Sequence, residues 1–385
     1  MNIIYVSNLI SENKMKNILE NANEKPLQSI QKFHRLLCQG FAKNDVNIKT
    51  ISVIPMSRKI NKKTIWIDKK EVEKGVIYQY IPFINFKGFR QICILIGTIL
   101  SVIKELFSKK KNKIFICDIL DTTVSFTTVL MSKIFRYKCV GIVTDLPCNM
   151  AKYSKLSTFL ENHCDMYVFL TEQMNKKINK NNKPFIVMEG LVDENMKYKD
   201  IDLDEKDSKK ICIYAGGLYE KYGVKTLIQA FQNLKIDNAQ LHLFGTGDLN
   251  DFIEKLQEDN IVYHGVMENK EVVEAEKKAT LLINPRFTNE EYTKYSFPSK
   301  NMEYMVSGTP ILTTKLPGMP NEYLPYIYVF DEESQEGFRQ KIEEILKKNE
   351  QELYEKGKAA KEFVLENKNN KKQAERIYNF IINSK

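Results

Sequence analysis

The chain is poor in the arrangements from which metal, redox and disulfide chemistry is built. Its four histidines, His34, His163, His242 and His264, are scattered over predicted helices and strands and read as structural. Seven cysteines, an odd number never spaced C-x-x-C, argue against a zinc site or a disulfide framework and for reduced, mostly buried thiols. No carboxylate pair has a metal-ligand spacing, so no metal ion and no cofactor is expected. The G-x-G-x-x-G fingerprint and its downstream acid are absent, which argues against a dinucleotide-dependent dehydrogenase. The N-terminal MNIIYVSNLI has neither a basic n-region nor a small-residue cleavage site and reads as a first strand. The longest apolar run, ICILIGTILSVI at 92–103, is too short to span a bilayer. A cytoplasmic location is expected, and neither a tandem repeat nor a low-complexity tract complicates the reading.

At 385 residues, 43% hydrophobic and 28% charged, the chain can build two soluble domains with real cores. The net charge of +9 is mostly scattered lysine without a nucleic-acid motif, so no nucleic-acid partner is expected. Phosphorylated small molecules or an anionic membrane surface fit the same charge.

Short β-branched runs alternate with helical periodicity, twice over. The first series is NIIYV (2–6), a helix face marked by Leu27, Ile30, Leu37 and Phe41, VNIKTISVI (46–54), IFIC (114–117), a helix through SFTTVLMSKIF, CVGIVTD (139–145), YVFL (167–170) and FIVM (185–188). A polar stretch, 196–210, reads as a connection. The second series is ICIYAGG (211–217), helix 224–231, QLHLFG (240–245), a helix near 248–258, IVYHG (261–265), helix 270–278, TLLINP (280–285), a helix from about 298 and PILTT (310–314). Strands separated by helix-length segments predict parallel sheets: an α/β chain of two Rossmann-like domains, 1–195 and 196–370, facing each other across a cleft. A last helix, 371–385, is expected to pack back on the first domain.

The stretch FPSKNMEYMVSGTPILTT (297–314) is anomalous. Pro298 suits a first turn with Ser296 as cap, Met302, Met305 and Val306 form the core face, and Gly308 with Pro310 ends the helix. Lys300 then points its charge at the positive end of the helix dipole, and lysine before glutamate at i,i+3 is the poorer order. A bound anion would repay that arrangement. Arg286, in NPRFTNEEYTKYS, follows a strand and with Lys300, Ser299 and the helix-start amides could hold a diphosphate. Glu303, one turn on, could accept hydrogen bonds from a vicinal diol. YAGGLYEKYG (214–223) and LFGTGD (243–248) place glycine pairs after strands, where they serve either close approach of a ligand or the geometry of a turn.

Residues 210–345 resemble the nucleotide-binding domain of glycosyltransferase family 4, retaining enzymes of GT-B fold. The resemblance rests on YAGGLYEKYGVKTLIQAF, HLFGTGD, YHGV, LLINPR and FPSKNMEYMVSGTPIL. It is looser in the first half, through IVTDLP, VFLTEQM and MEGLVD. It implies that Glu303 holds the donor's ribose and that Gly216 and Gly217 lie near the donor phosphates. The family's first glutamate falls at Tyr295, and its glycine-loop Arg and Lys fall at Gly217 and Tyr222. Arg286 and Lys300 are therefore assigned the diphosphate, with Lys221 beside them and Glu290 or Glu291 as stand-in acids. Asp145 is a candidate catalytic or sugar-binding residue, against the commoner role of an aspartate at such a strand end, a cap. The resemblance implies hexose transfer from a nucleotide diphosphate sugar, UDP by preference, to a lipid-linked or growing surface polysaccharide. Segment 86–113, apolar in its middle with Lys104, Lys109, Lys110, Lys111 and Lys113 towards its end, reads as a buried helix or as a peripheral contact with the inner face of the membrane. The rival readings are a non-catalytic GT-B subunit supporting a partner enzyme, favoured by Tyr295, Gly217 and Tyr222, and a nucleotide-sugar epimerase.

Overall fold

The computed structural model describes residues 1–20, 29–56, 60–86, 88–109, 111–149, 154–196, 198 and 209–384. Leu27, Lys110 and most of the predicted connection 196–210 lie outside them. The chain divides into two compact units, one of Met1–Leu191 with Asn370–Lys385 and one of Val192–Asn369.

In the first unit the strands are β1 (Asn2–Ser7), β2 (Asn47–Ser52), β3 (Ile65–Trp66), β4 (Glu71–Glu73), β5 (Val76–Tyr80), β6 (Phe83–Ile84), β7 (Lys113–Asp118), β8 (Cys139–Val143), β9 (Met166–Phe169) and β10 (Phe185–Val187). Eight of them form one sheet in the order β10-β9-β8-β7-β1-β2-β5-β4. Every pairing in it is parallel except β4 with β5. A parallel strand covered on both faces needs an unbroken apolar run, which is what Ile3, Ile4, Tyr5 and Val6 supply, all buried. The small β3–β6 pair has too few residues to show a period, and sequence reading passes over it.

The terminal helix, Asn370–Asn383, is part of this unit. It buries Ala374, Ile377 and Ile381, and its Asn370 Nδ2 donates to Leu36 O at 3.1 Å. Gly40 lets the helix come this close, since a Cβ there would lie 2.0 Å from Asn370 O. Five of the seven cysteines are buried; Cys93 is partly buried and Cys148 exposed. Cys117, Cys139 and Cys164 bring their sulfurs within 4.8 Å of one another on the sheet.

In the second unit β11 (Lys210–Ala215), β12 (Ala239–Phe244), β13 (Ile261–Gly265), β14 (Leu281–Asn284), β15 (Ile311–Thr313) and β16 (Tyr328–Val329) form an all-parallel sheet, ordered β13-β12-β11-β14-β15-β16. This is the doubly wound order, in which connections leave in opposite directions from the centre. Between β11 and β14 the order reverses, and the crevice at their C-terminal ends is where such sheets take ligands. The helix expected near 248–258 is shorter, Asn250–Glu254.

Candidate functional site

The anomalous helix runs from Ser299 to Ser307, with Pro298 at its N-cap and Gly308, at φ 81°, at its C-cap. Ser296 is not the cap: it closes the preceding short 3-10 turn, Glu291–Tyr295. The core face is as the spacing predicts, with Met302, Met305 and Val306 buried. Because the helix connects β14 to β15, its first turn falls at the switch point, beside the loops that follow β11 and β14.

Those loops are held by a tight set of hydrogen bonds. Ala215 N donates to Tyr304 Oη at 2.8 Å, and Tyr214 Oη donates to Gly217 O at 2.8 Å. Gly216 N donates to Phe244 O at 2.8 Å. Gly216 has φ 151°, and a Cβ on it would lie 1.7 Å from Lys300 Nζ. Gly245 has φ 126°, and a Cβ on it would lie 1.9 Å from Gly216 O. Both glycines are favoured by conformation, and Gly245 is also required by its contact with the Gly216 backbone.

Lys300 answers the question posed by its place in the dipole. Its ammonium turns onto the backbone of Gly216 and over the ring of Tyr214, 4.5 Å from the centroid. Burial, and then the neighbouring Arg286 guanidinium, bring its pKa down to about 7 in spite of Glu276 and Glu303. Arg286, in the loop after β14, lies over the Tyr222 ring at 4.7 Å. Lys221 is exposed and lies 5.4 Å from the centroid of the same ring, so both cations of the two loops meet on Tyr222.

Ala215, Gly216, Phe244, Gly245, Val266, Met267, Asn269, Val272, Glu276, Lys300, Glu303 and Tyr304 line one cavity of about 310 Å³. Of the sequence-predicted residues, Gly216, Lys300 and Glu303 meet there. Gly217, Lys221 and Arg286 do not line it: Gly217 O accepts from Tyr214 Oη, Lys221 and Arg286 lie over the Tyr222 ring, and Arg286 reaches the cavity only through its effect on Lys300. Ser299 is the exposed first residue of the helix and does not line it. Asp145 belongs to the first unit, in the loop after β8, where its Oδ1 accepts from Leu146 N at 2.7 Å; burial raises its pKa.

One residue escaped sequence reading. Glu276 is buried on the helix Asn269–Lys278, and burial together with Glu303 pushes its pKa up to about 7 against the pull of Lys300. The available signal was its position, four residues after Val272 and three before Ala279, where a carboxylate interrupts an apolar face. The suggested stand-ins are placed differently. Glu291 pairs with Lys294 at 2.7 Å on an exposed turn, Glu290 caps that turn, and neither lines the cavity.

Residues 197–382 match the family model of glycosyl transferases group 1. No curated protein matches the chain in sequence. Among solved structures, Anabaena Alr3699/HepE in complex with UDP is similar at TM-score 0.65 and 10% identity, over 100% of each chain. The sucrose-phosphate synthase of Thermosynechococcus elongatus gives TM-score 0.68 and 12% identity, again over 100% of each chain. The apo lipopolysaccharide outer core galactosyltransferase WaaB gives 0.63 and 16%, also over 100% of each. The fold is thus GT-B, with two Rossmann-like units.

Proposed function

We propose, from the match of residues 197–382 to the glycosyl transferases group 1 model, that the chain is a glycosyltransferase that moves a hexose from a nucleotide diphosphate sugar with retention of anomeric configuration. The observation that carries this reading is the Lys300 ammonium lying on the Gly216 backbone at the switch point of the second sheet. A diphosphate there would meet Lys300, Arg286 and the amides at the start of the Ser299–Ser307 helix. UDP is the preferred carrier, supported by the UDP bound in the Anabaena HepE structure.

Transfer is assigned to front-side substitution. The bond from the anomeric carbon to the diphosphate oxygen breaks as the acceptor oxygen bonds to the same face, and the acceptor's proton passes to the departing phosphate. Lys300 and Arg286 stabilise the charge that develops on the diphosphate, and Glu303 positions the ribose.

The acceptor is proposed to be a lipid-linked sugar or growing surface polysaccharide, reached by peripheral contact with an anionic membrane. No helix among the described residues is long and apolar enough to cross a membrane. The helix Phe89–Leu106 nonetheless exposes Phe89, Ile92, Ile96 and Leu100 along one side, with exposed Lys104, Lys109 and Lys111 at and beyond its end. Lys113 is otherwise engaged, its Nζ donating to Glu105 O at 2.6 Å and Ser108 O at 2.7 Å at the helix terminus.

Incubation with UDP-hexoses and polyprenyl-diphosphate-linked sugars should release UDP and give a product of retained anomeric configuration by NMR. Glu303→Ala should abolish release. Donor consumption without an acceptor, or product of inverted configuration, would contradict the proposal.

A further inference from the structure

The donor cavity carries more negative charge than a diphosphate site calls for. Glu276 forms part of its wall from the Asn269–Lys278 helix and is 6% exposed, while Glu303 stands exposed on the Ser299–Ser307 helix. Each influences the other's neighbourhood: Glu303 raises the pKa of Glu276, and both act on Lys300. The Tyr198 hydroxyl also feels Glu276 and Glu303, with Lys277 Nζ 5.7 Å from its ring centroid. A buried carboxylate is costly unless it receives hydrogen bonds, and a single ammonium shared with a second carboxylate offsets that cost only in part.

The charges divide the cavity. An anionic diphosphate suits Lys300 beside Gly216, with Arg286 acting on Lys300 from outside the cavity lining. What suits the acids is a neutral group with two adjacent O–H donors. Val266 and Met267, both exposed, provide apolar surface for a flat base beyond it. We propose that Glu276 is a second diol-binding carboxylate of the donor cavity, holding one hydroxyl of the donor's ribose while Glu303 holds the other. This rests on the donor-site reading above. It also supplies a reason for an acid on the side of the Asn269–Lys278 helix that turns inward.

The test is calorimetric binding of UDP, 2′-deoxy-UDP and 3′-deoxy-UDP at pH 8 to the wild type, Glu276→Gln, Glu276→Asp and Glu303→Gln. A hydrogen bond to a charged group corresponds to roughly a tenfold change in affinity. The wild type should bind UDP about tenfold more tightly than each deoxy analogue. Glu276→Gln should lose about that factor for UDP yet bind one deoxy analogue as the wild type does, and Glu303→Gln should do so for the other. Glu276→Asp, a shorter acid, should fall between. Wild-type discrimination retained in Glu276→Gln, or equal weakening of all three ligands, would overturn the diol role and leave the donor site standing. Binding of none of the three by the wild type would overturn the UDP-site reading, and the subsite with it.

Discussion

At the scale of single residues, the account turns on two groups held away from their ordinary charge. Glu276 has its pKa raised from 4.5 to about 7, so the folded state binds more protons than the unfolded one between those values. Stability attributable to it therefore falls as pH rises from 4.5 to about 7 and stays lost above that. Glu276→Gln should accordingly stabilise the protein at pH 8, by something on the order of 1–3 kcal/mol, and change little at pH 4. Urea denaturation at the two pH values checks this; destabilisation at pH 8 would mean the carboxylate has a structural partner that matters more than its burial. Lys300 has the opposite sign. Its pKa is lowered from 10.5 to about 7, so its cost is present below 7 and fades as pH rises towards 10.5. Lys300 was legible in the sequence because lysine at the positive end of a helix conflicts with elementary electrostatics. Glu276 was not read, because the second of two acids in VVEAEKK looks like ordinary helix surface until the helix is seen to turn that side inward. Tyr222 shows the limit of motif transfer: where a family's basic residue is missing, an aromatic ring gathers Arg286 and Lys221 from two other positions.

At the scale of elements, the glycine loops and the first-unit helix carry the testable content. Gly216→Ala would drive a methyl into the Lys300 ammonium at a φ that non-glycine residues rarely adopt. Nucleotide binding should fall by tenfold or more, with a stability loss of about 1–3 kcal/mol. Gly245→Ala, whose methyl would meet the Gly216 carbonyl in the wall of the same cavity, should lose comparable stability and also weaken binding. Equilibrium unfolding beside a binding titration separates the two. For the Phe89–Leu106 helix, Ile96→Asp with Leu100→Asp should reduce co-sedimentation with phosphatidylglycerol vesicles while leaving donor binding unchanged. Undiminished sedimentation would remove this face from the membrane contact. The apolar run of that helix was plain in the sequence, yet its two fates, buried Ile94, Thr98 and Val102 against exposed Ile92, Ile96 and Leu100, depend on what packs beside it. Most βαβ strands were legible as β-branched runs. Two-residue β3, β6 and β16 and three-residue β4 were not, being too short for periodicity to register, and β5 was passed over although Val76, Tyr78 and Tyr80 alternate inward.

At the scale of the whole molecule, alternation of strands and helices foretold two parallel α/β units, and the motif order after residue 210 pointed to the GT-B fold. Strand order is a different matter. The reversal between β11 and β14 is set by long-range pairing that no local pattern records, yet it is what gathers Gly216, Arg286 and Lys300 from stretches up to 84 residues apart, taking 216 from 300. The central claim is that this gathering makes a nucleoside diphosphate site. The most direct measurement is a thermal-shift panel of UDP, GDP, ADP and CMP on the wild type, Lys300→Ala and Glu303→Ala. A ligand at a hundredfold excess over its dissociation constant adds roughly 2.7 kcal/mol of stability, readily seen as a rise in melting temperature. The account predicts stabilisation by a diphosphate, UDP foremost, that is lost in both variants. Stabilisation by none of the four, or a shift that survives loss of Lys300 and Glu303, would contradict it.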